Sequence, residues 1–469
     1  MKPLTIQQIR QAVSGKALTA LPKDAPPVKS VSSDSRQVGP FSMFVAIKGE
    51  HHDGHEFLPQ AAAQGAVAAL VEHTPPKELP NLHLIGVENT RRAMGKLATF
   101  VRMQLQSKVI AVAGSNGKTT TKFFIDSVLS ASLKGSVSPK SYNNDIGVPL
   151  AIFPADPSQD YLVLEIGTNH HGEVKHLSEM ARPDIAVITN VGAEHLEGLD
   201  DLDGVRREEA SITKGLNPKG CLIVNGDDAP LLSLVSQYKG QRVTFGLEPH
   251  NQLFATDIAC EKDGVYFNLN GSARRRVFVP MLGKHSACNA LAAIAVGRKM
   301  GLNEETIIES LAHAHGPDMR LQLSRVSGVT LLNDAYNANP NSTRAAIETL
   351  MSLPNRGRRV AVLGDMLELG VHSDRYHDEI GELAGNCELD LLVCVGKKAK
   401  RIASSAKAAG FDKSRIVIYP DAMSAARASV RRVKSGDLIL LKGSRGVGLE
   451  AVAKAIAEHQ SGKAVRRAS

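Results

Sequence analysis

The sequence predicts an α/β protein built as three domains, and three observations carry that expectation. At 469 residues the chain is too long for a single hydrophobic core. From about residue 89 to about 320, short apolar runs (Tyr161 to Ile166, Ile185 to Thr189, Cys221 to Val224) alternate with helix-length stretches, as parallel strands joined by crossover helices do. After Arg320 a fresh alternation begins. Val329 to Leu332, Val360 to Leu363, Leu391 to Val395, Ile416 to Tyr419 and Leu438 to Leu441 describe a second, Rossmann-like doubly wound sheet. The expected domains are 1–88, 89–320 and 321–469.

Within the first of these, strands are expected at Val31 to Arg36, Met43 to Lys48 and Ala66 to Val71, with an alanine-rich helix from Phe57 to about Gln64. His73 to Pro80 carries three prolines and reads as a loop. Asn89 and Thr90 then cap a helix that leads into the central domain. A hydrophobic content of 43% with 22% charged residues is that of an ordinary soluble globular protein. No apolar run approaches a membrane span, and the N-terminal residues lack a signal-peptide stretch, so no membrane insertion is expected. Five scattered cysteines without a Cys-x-x-Cys pair suit reduced thiols and a cytoplasmic location. The net charge of +8 comes with only 4% aromatic residues and no Trp, which argues against nucleic acid and for polyanionic small substrates. Arg274 to Arg276 and Arg466–Arg467 read as solvated surface and tail.

The most informative segment is Val109 to Lys122. A buried-strand run ends at Gly114, and Ser115, Asn116, Gly117, Lys118, Thr119 and Thr120 follow before a helix-compatible stretch. Strand, glycine-rich turn and helix N-terminus make an anion site: backbone N–H groups converge on phosphate oxygens, Lys118 reaches the β/γ-phosphates, and the Thr119 hydroxyl suits Mg²⁺. Val112 stands where the usual phosphate loop has its first glycine, so this is a shortened form. The bland alternative is a structural turn. Glu165 ends the run Tyr161 to Glu165, where a second Mg²⁺ ligand is needed, or else caps a helix. His195 lies just past another strand and reads as a metal or phosphate contact, against a surface or core histidine. Asn143 and Asn144 sit in a polar turn suited to bonding a sugar or peptide, or form a plain Asn-Asn turn. In the last domain, the loops Asn333 to Pro340, Gly364 to Gly370 and Lys442 to Gly446 all follow strands and together make a site wall; the helix after the first is expected to be capped by Asn341 or Ser342.

This ordered set of motifs resembles the Mur ligase family of ATP-dependent amide-forming enzymes in peptidoglycan synthesis. The likeness runs from Asp34-Ser35-Arg36 and Asp53-Gly54-His55, through the phosphate loop, Tyr142-Asn143-Asn144, Glu165-Ile166-Gly167 and Asn190 to Gly198, to Asn289 to Ala293, Asp334 to Pro340, Gly364 to Gly370 and Lys442 to Gly448. The resemblance implies ATP and Mg²⁺ as cofactors, UDP-N-acetylmuramoyl-tripeptide and D-alanyl-D-alanine as substrates, an acyl-phosphate intermediate, and a monomer. It implies that Lys118 steadies the γ-phosphate, that Thr119 and Glu165 hold one Mg²⁺, and that His195 holds a second. Asn289 would meet the adenine; Arg320, Asp334 and Asn337 the ribose and phosphates; Ser35, Arg36 and Lys48 the UDP; and Lys442, Ser444 and Arg445 the incoming dipeptide.

One position departs from the pattern. Fourteen residues after the metal-binding histidine the family has a lysine carried as its carbamate, whereas this chain has Glu209. Its carboxylate needs no CO₂, but its side chain is several bonds shorter. Either water bridges it to the second metal, its helix sits closer, or that metal is weakly held; otherwise Glu208 and Glu209 are two exposed acids on a charged helix. Two other functions stay open on these residues: a related ligase adding a single amino acid to a UDP-muramyl peptide or folate, and a non-catalytic nucleotide-binding scaffold.

Overall fold

The computed structural model describes residues 1–22, 24–326 and 328–458. The Arg466–Arg467 tail lies outside them. The expected α/β architecture is present as three sheets. The first contains β1 (Lys16–Ala17), β2 (Ser30–Ser32), β3 (Ser42–Val45), β4 (Ala66–Val71) and β5 (His83–Gly86) in the order β1-β5-β4-β3-β2. Its strands are parallel except β1. The expected strand at Val31 to Arg36 is cut short, because Asp34 caps a 3₁₀ turn over Ser35–Gln37 by accepting the Arg36 N–H.

The second sheet has nine strands: β6 (Lys108–Ala113), β7 (Gly135–Val137), β8 (Tyr161–Glu165), β9 (Ile185–Ile188), β10 (Cys221–Asn225), β11 (Gln241–Gly246), β12 (Leu253–Cys260), β13 (Val265–Leu269) and β14 (Ser272–Val279). Their order is β14-β13-β12-β11-β10-β9-β6-β8-β7. From β7 to β12 neighbours are parallel, but β12, β13 and β14 form an antiparallel meander that corrects the purely parallel expectation. Its middle strand, Val265–Leu269, alternates buried and half-buried residues, the pattern of a sheet with one face packed and the other partly open. Arg274, Arg275 and Arg276 lie on the exposed stretch of β14.

The third sheet runs β15 (Gln322–Val326), β16 (Val329–Asp334), β20 (Leu438–Lys442), β17 (Arg359–Gly364), β18 (Leu391–Val395) and β19 (Ile416–Tyr419), parallel but for the edge strand β15. The helix Pro340–Ser352 is capped by Asn339, not by Asn341 or Ser342; Pro340 takes its first position, where a missing N–H costs nothing. Helix Thr90–Arg102 follows its Asn89 cap and buries Ala93, Met94, Leu97 and Val101 in a core that also holds Val45 and Leu70 of the first sheet and Val109 and Ala111 of the second. The loops at the carboxyl ends of β6, β8, β9, β16, β17 and β20 face a common cleft, as parallel sheets dispose them.

Candidate active site between the central and C-terminal sheets

Strand β6 delivers the chain to Gly114, and the helix Lys118–Ser130 starts four residues later. Gly114 and Gly117 have φ of +117° and +80°. A Cβ on Gly114 would lie 2.2 Å from Thr189 Oγ1, and one on Gly117 2.4 Å from Asn289 Oδ1, so neither position admits a side chain. The turn is tied down from the next strand's loop: Ser115 N–H donates to the Asn190 carbonyl at 2.9 Å, and Asn116 N–H to Asn190 Oδ1 at 3.0 Å. Thr120 is buried beneath it. Lys118 Nζ donates to the Gly114 carbonyl at 2.5 Å and stands 3.4 Å from Glu194 Oε1. Burial alone would lower the Lys118 pKa, but the Glu194, Glu209 and Glu165 carboxylates outweigh it and hold the ammonium above its ordinary value.

Glu165, at the tip of β8, is 1% exposed and fully engaged. Its Oε2 accepts from the Thr119 hydroxyl at 2.9 Å and lies 3.2 Å from Lys122 Nζ; its Oε1 accepts from Asn143 Nδ2 at 3.0 Å. Arg320 donates to Thr119 Oγ1 at 3.1 Å and lies over the Tyr336 ring, 4.4 Å from its centre. Thr119 and Glu165 fit Mg²⁺. Both offer hard oxygens, and their 2.9 Å separation is close to the roughly 3.0 Å between adjacent ligands of an octahedral ion with bonds of about 2.1 Å.

His195 follows β9 with a left-handed φ of +50°. Its Nδ1 bonds the Glu368 carboxylate from the C-terminal domain. Burial would lower its pKa, but the Glu368 hydrogen bond and the Glu194 charge raise it. The reading of Glu208 and Glu209 as exposed acids is overturned, since they are 4% and 1% exposed. Glu208 caps the helix Glu173–Ala181 by accepting the Gly172 and Val174 N–H groups, each at 2.7 Å. Glu209 accepts the Gly114 N–H at 2.7 Å, and the residues that line the cleft include Glu194 and His195 but not Glu209. Its burial, first, and the Glu194 charge push its pKa up to about 7, against the pull of Lys118 and the Gly114 N–H. Glu209 is thus held behind the phosphate loop, within electrostatic reach of Lys118 and Glu194.

The opposite wall comes from the third sheet. Asp334 and Lys442 are register partners on β16 and β20, and Lys442 Nζ lies 2.7 Å from Asp334 Oδ2 and 2.8 Å from the Asn337 carbonyl. Burial lowers the Lys442 pKa despite that partner. The Ser444 hydroxyl is turned inward, donating to the Ala338 carbonyl and accepting the Leu367 N–H at 2.9 Å, while Arg445 and Asn337 line the cleft. Asn289 accepts from Thr121 at 3.3 Å and also lines it. Asn144 lines it too, but its Oδ1 accepts the Gly147 N–H at 2.8 Å and starts the helix Gly147–Ile152. Ser35, Arg36 and Lys48 stand away from this cleft: Ser35 donates to Gln60 at 2.9 Å, Arg36 is paired with Asp34 at 2.9 Å, and Lys48 is exposed.

Sequence reasoning had not singled out Glu194, Lys122, Tyr336, Asn339 or Glu368. Adjacency to His195 was a signal for Glu194. For Lys122, whose ammonium is wholly buried against Glu165 and the Ser138 carbonyl, nothing in a Thr-Thr-Thr-Lys run marks it. Tyr336, Asn339 and Glu368 reach across to Ser141, Asn116 and His195, which only the fold brings near.

The phosphate loop, Glu165, His195, Asn289, Arg320, Asp334 and Lys442 line a cleft of about 1330 Å³. Family models match over residues 27–102 (Mur ligase family, catalytic domain), 112–297 (Mur ligase middle domain) and 319–445 (Mur ligase, glutamate ligase domain). The UDP-N-acetylmuramoyl-tripeptide–D-alanyl-D-alanine ligase of Bacillus subtilis (strain 168) is 36% identical, covering 97% of this chain and 98% of its own. The chain belongs to the Mur ligase family. Among solved structures, a MurF from Acinetobacter baumannii superposes with this Mur ligase at a TM-score of 0.87 and 30% identity, covering 98% of this chain and 99% of its own. A Thermotoga maritima MurF ligase in complex with ADP gives 0.81 at 27% identity, covering 93% and 99%. Among the described residues no helix is long and apolar enough to cross a membrane.

Proposed function

We propose that this Mur ligase is an ATP-dependent, ADP-forming enzyme that joins D-alanyl-D-alanine to UDP-N-acetylmuramoyl-tripeptide. The observation that carries the reading is the relationship over almost the full length to ligases of that name, in a chain that keeps a formed phosphate loop facing the third sheet. The terminal carboxylate of the tripeptide attacks the γ-phosphorus, the bond to ADP breaks, and an acyl phosphate forms. The dipeptide amine then attacks the acyl carbon and loses a proton, and phosphate departs as the carbon–oxygen bond of the tetrahedral intermediate breaks. Catalysis is then mainly positioning and charge neutralisation.

In this reading the Gly114–Thr120 N–H groups cradle the phosphates and Lys118 follows the γ-phosphate. Thr119 and Glu165 would hold a magnesium ion, which supplies charge neutralisation on the phosphate oxygens. Lys122 and Asn143 keep the Glu165 carboxylate aimed, and Arg320 reaches the same phosphates from the hinge. Asn289 meets the adenine, Asp334 and Asn337 the ribose, and Lys442, Ser444 and Arg445 the dipeptide side. Ser35, Arg36 and Lys48 belong to a separate UDP-binding surface in residues 1–88, with the central unit at 89–320 and the third at 321–469. The site is complete in one chain, which supports a monomer. Five free thiols support a reducing, cytoplasmic setting. Phosphate release measured with a panel of UDP-muramyl peptides against D-alanyl-D-alanine and single amino acids tests the reading. Turnover only with the tripeptide and dipeptide is expected, and turnover only with a single amino acid or a folate would overturn it.

A further inference from the structure

Lys122 lies three residues after Thr119 on the helix Lys118–Ser130, so the two side chains share a face, yet Lys122 does not line the cleft and its side chain is wholly buried. Its Nζ meets three oxygens: the Ser138 carbonyl at 2.9 Å, the Lys140 carbonyl at 2.5 Å and Glu165 Oε2 at 3.2 Å. Three acceptors match the three N–H donors of an ammonium, whereas a neutral amine has one fewer. Burial lowers the Lys122 pKa, and the Glu165 carboxylate opposes it. The two carbonyls belong to one loop. Lys140 has a left-handed φ of +45°, a strained conformation for a residue with a side chain, and the ammonium takes up the carbonyl it presents. The next residue, Ser141, meets the Tyr336 hydroxyl of the C-terminal domain at 2.6 Å. Two residues further on, Asn143 Nδ2 donates to the other oxygen of Glu165.

Tyr336 reaches the same carboxylate from its other side. The Arg320 guanidinium lies over its ring at 4.4 Å and donates to Thr119 Oγ1 at 3.1 Å, and Thr119 in turn donates to Glu165 Oε2. One tyrosine of the third domain is therefore linked to Thr119 through Arg320 and to Glu165 through Ser141, the loop carbonyls and Lys122. In such a closed ring of buried polar contacts, freeing one member is felt by the others. We propose that Lys122 is a positioning residue that couples the seating of the C-terminal domain to the orientation of the Glu165 carboxylate. The oxygen pair of Thr119 and Glu165 is then fully set for a divalent ion only when Tyr336 is docked on Ser141. What that ion does in the reaction rests on the ligase reading; the coupling does not.

The test is the affinity of the tightest-bound Mn²⁺, followed by electron paramagnetic resonance on the full chain with a non-hydrolysable ATP analogue. Lys122→Met keeps an unbranched side chain without the charge and should weaken that ion about tenfold. Tyr336→Phe removes only the hydroxyl, which is bonded to Ser141 and to neither Thr119 nor Glu165, and should weaken it roughly threefold to tenfold. The double variant should bind no more weakly than Lys122→Met alone, because the route is already cut. Additive losses would overturn the coupling, as would an unchanged Mn²⁺ affinity in either single variant. An equal loss of analogue affinity without any divalent ion would overturn it too, since Tyr336 would then act on the nucleotide. If the melting curve shows that Lys122→Met does not fold, Lys122→Gln, which keeps N–H groups for the loop carbonyls and loses the charge, takes its place with the same expectations. Because ion binding needs no peptide substrate, a failed phosphate-release assay would sink the ligase reading and leave this result standing.

Discussion

Lys118 is held charged at the cleft by three carboxylates, Glu194, Glu209 and Glu165, on the turn proposed to take the ATP phosphates. Lys118→Ala should remove γ-phosphate neutralisation in the transition state and lower turnover on the order of 10³-fold or more. Near-normal steady-state turnover in that variant would show that this loop is not the catalytic nucleotide site. His377 gives a pH prediction away from the chemistry. It is fully buried: Nδ1–H donates to the Ser373 carbonyl at 2.7 Å, and Nε2 accepts the Met366 N–H at 3.0 Å, anchoring the Gly364 to Gly370 loop. Burial lowers its pKa below 6.5. The folded state therefore binds this proton less tightly than the unfolded chain, so the stability linked to His377 is complete above pH 6.5 and is lost as pH falls below it. Melting temperatures from pH 7.5 down to pH 5, taken as the difference between wild type and His377→Gln, should shrink on acidification; a constant difference would exclude a neutral buried imidazole.

Elements place these side chains, and two junctions matter most. At the turn into the helix Lys118–Ser130, Gly117 combines a positive φ with a Cβ position blocked by the buried Asn289. Gly117→Ala should cost about 1–3 kcal/mol in local strain and weaken binding of an ATP analogue tenfold or more, measured by calorimetry. Unchanged affinity would mean the turn has another way to close. At the helix Pro340–Ser352, the Asn339 Oδ1 accepts the Ser342 N–H at 2.8 Å while its Nδ2 donates to Asn116 Oδ1 at 2.8 Å. One side chain thus caps a helix in the third domain and touches the phosphate loop of the second. Asn339→Ala should destabilise by about 1–2 kcal/mol, whereas Asn339→Ser keeps a good cap and loses the bridge alone. A thermal melt of the serine variant as low as that of the alanine variant would show that the bridge, not the cap, supplies the stability.

At the scale of the molecule, the cleft has its phosphate loop on one domain and Asp334, Asn337 and Arg445 on another, so a complete site needs the two together. Polar and apolar side chains both span the gap: Asn116 bonds Asn339, Ser141 bonds Tyr336 at 2.6 Å, His195 bonds Glu368 and Asn341 accepts the Ala193 N–H, while Ala193, Leu196 and Leu199 share an apolar core with Leu332, Ala338 and Leu369. Closure about the hinge near Arg320 is expected to tighten these contacts. We expect the radius of gyration from small-angle scattering to fall when an ATP analogue and UDP-tripeptide are added together. Superimposable profiles with and without them would rule the motion out.

The three-sheet architecture and the phosphate loop were legible in the chain because their signals are local. β18 and β19 lie where their apolar runs predict them, and Asn89 caps its helix as its residue type implies. Strand periodicity and cap chemistry depend only on neighbours within a few positions. The antiparallel β12–β14 meander was not legible, since strand direction is set by which partners pair, not by composition. The same limit explains the site. Glu194 and Glu209 are equally acidic in the sequence and fifteen residues apart. Burial, the Gly114 amide and the approach of Glu368 decide that one carboxylate supports the loop while the other faces the cleft, and those are properties of the folded arrangement alone.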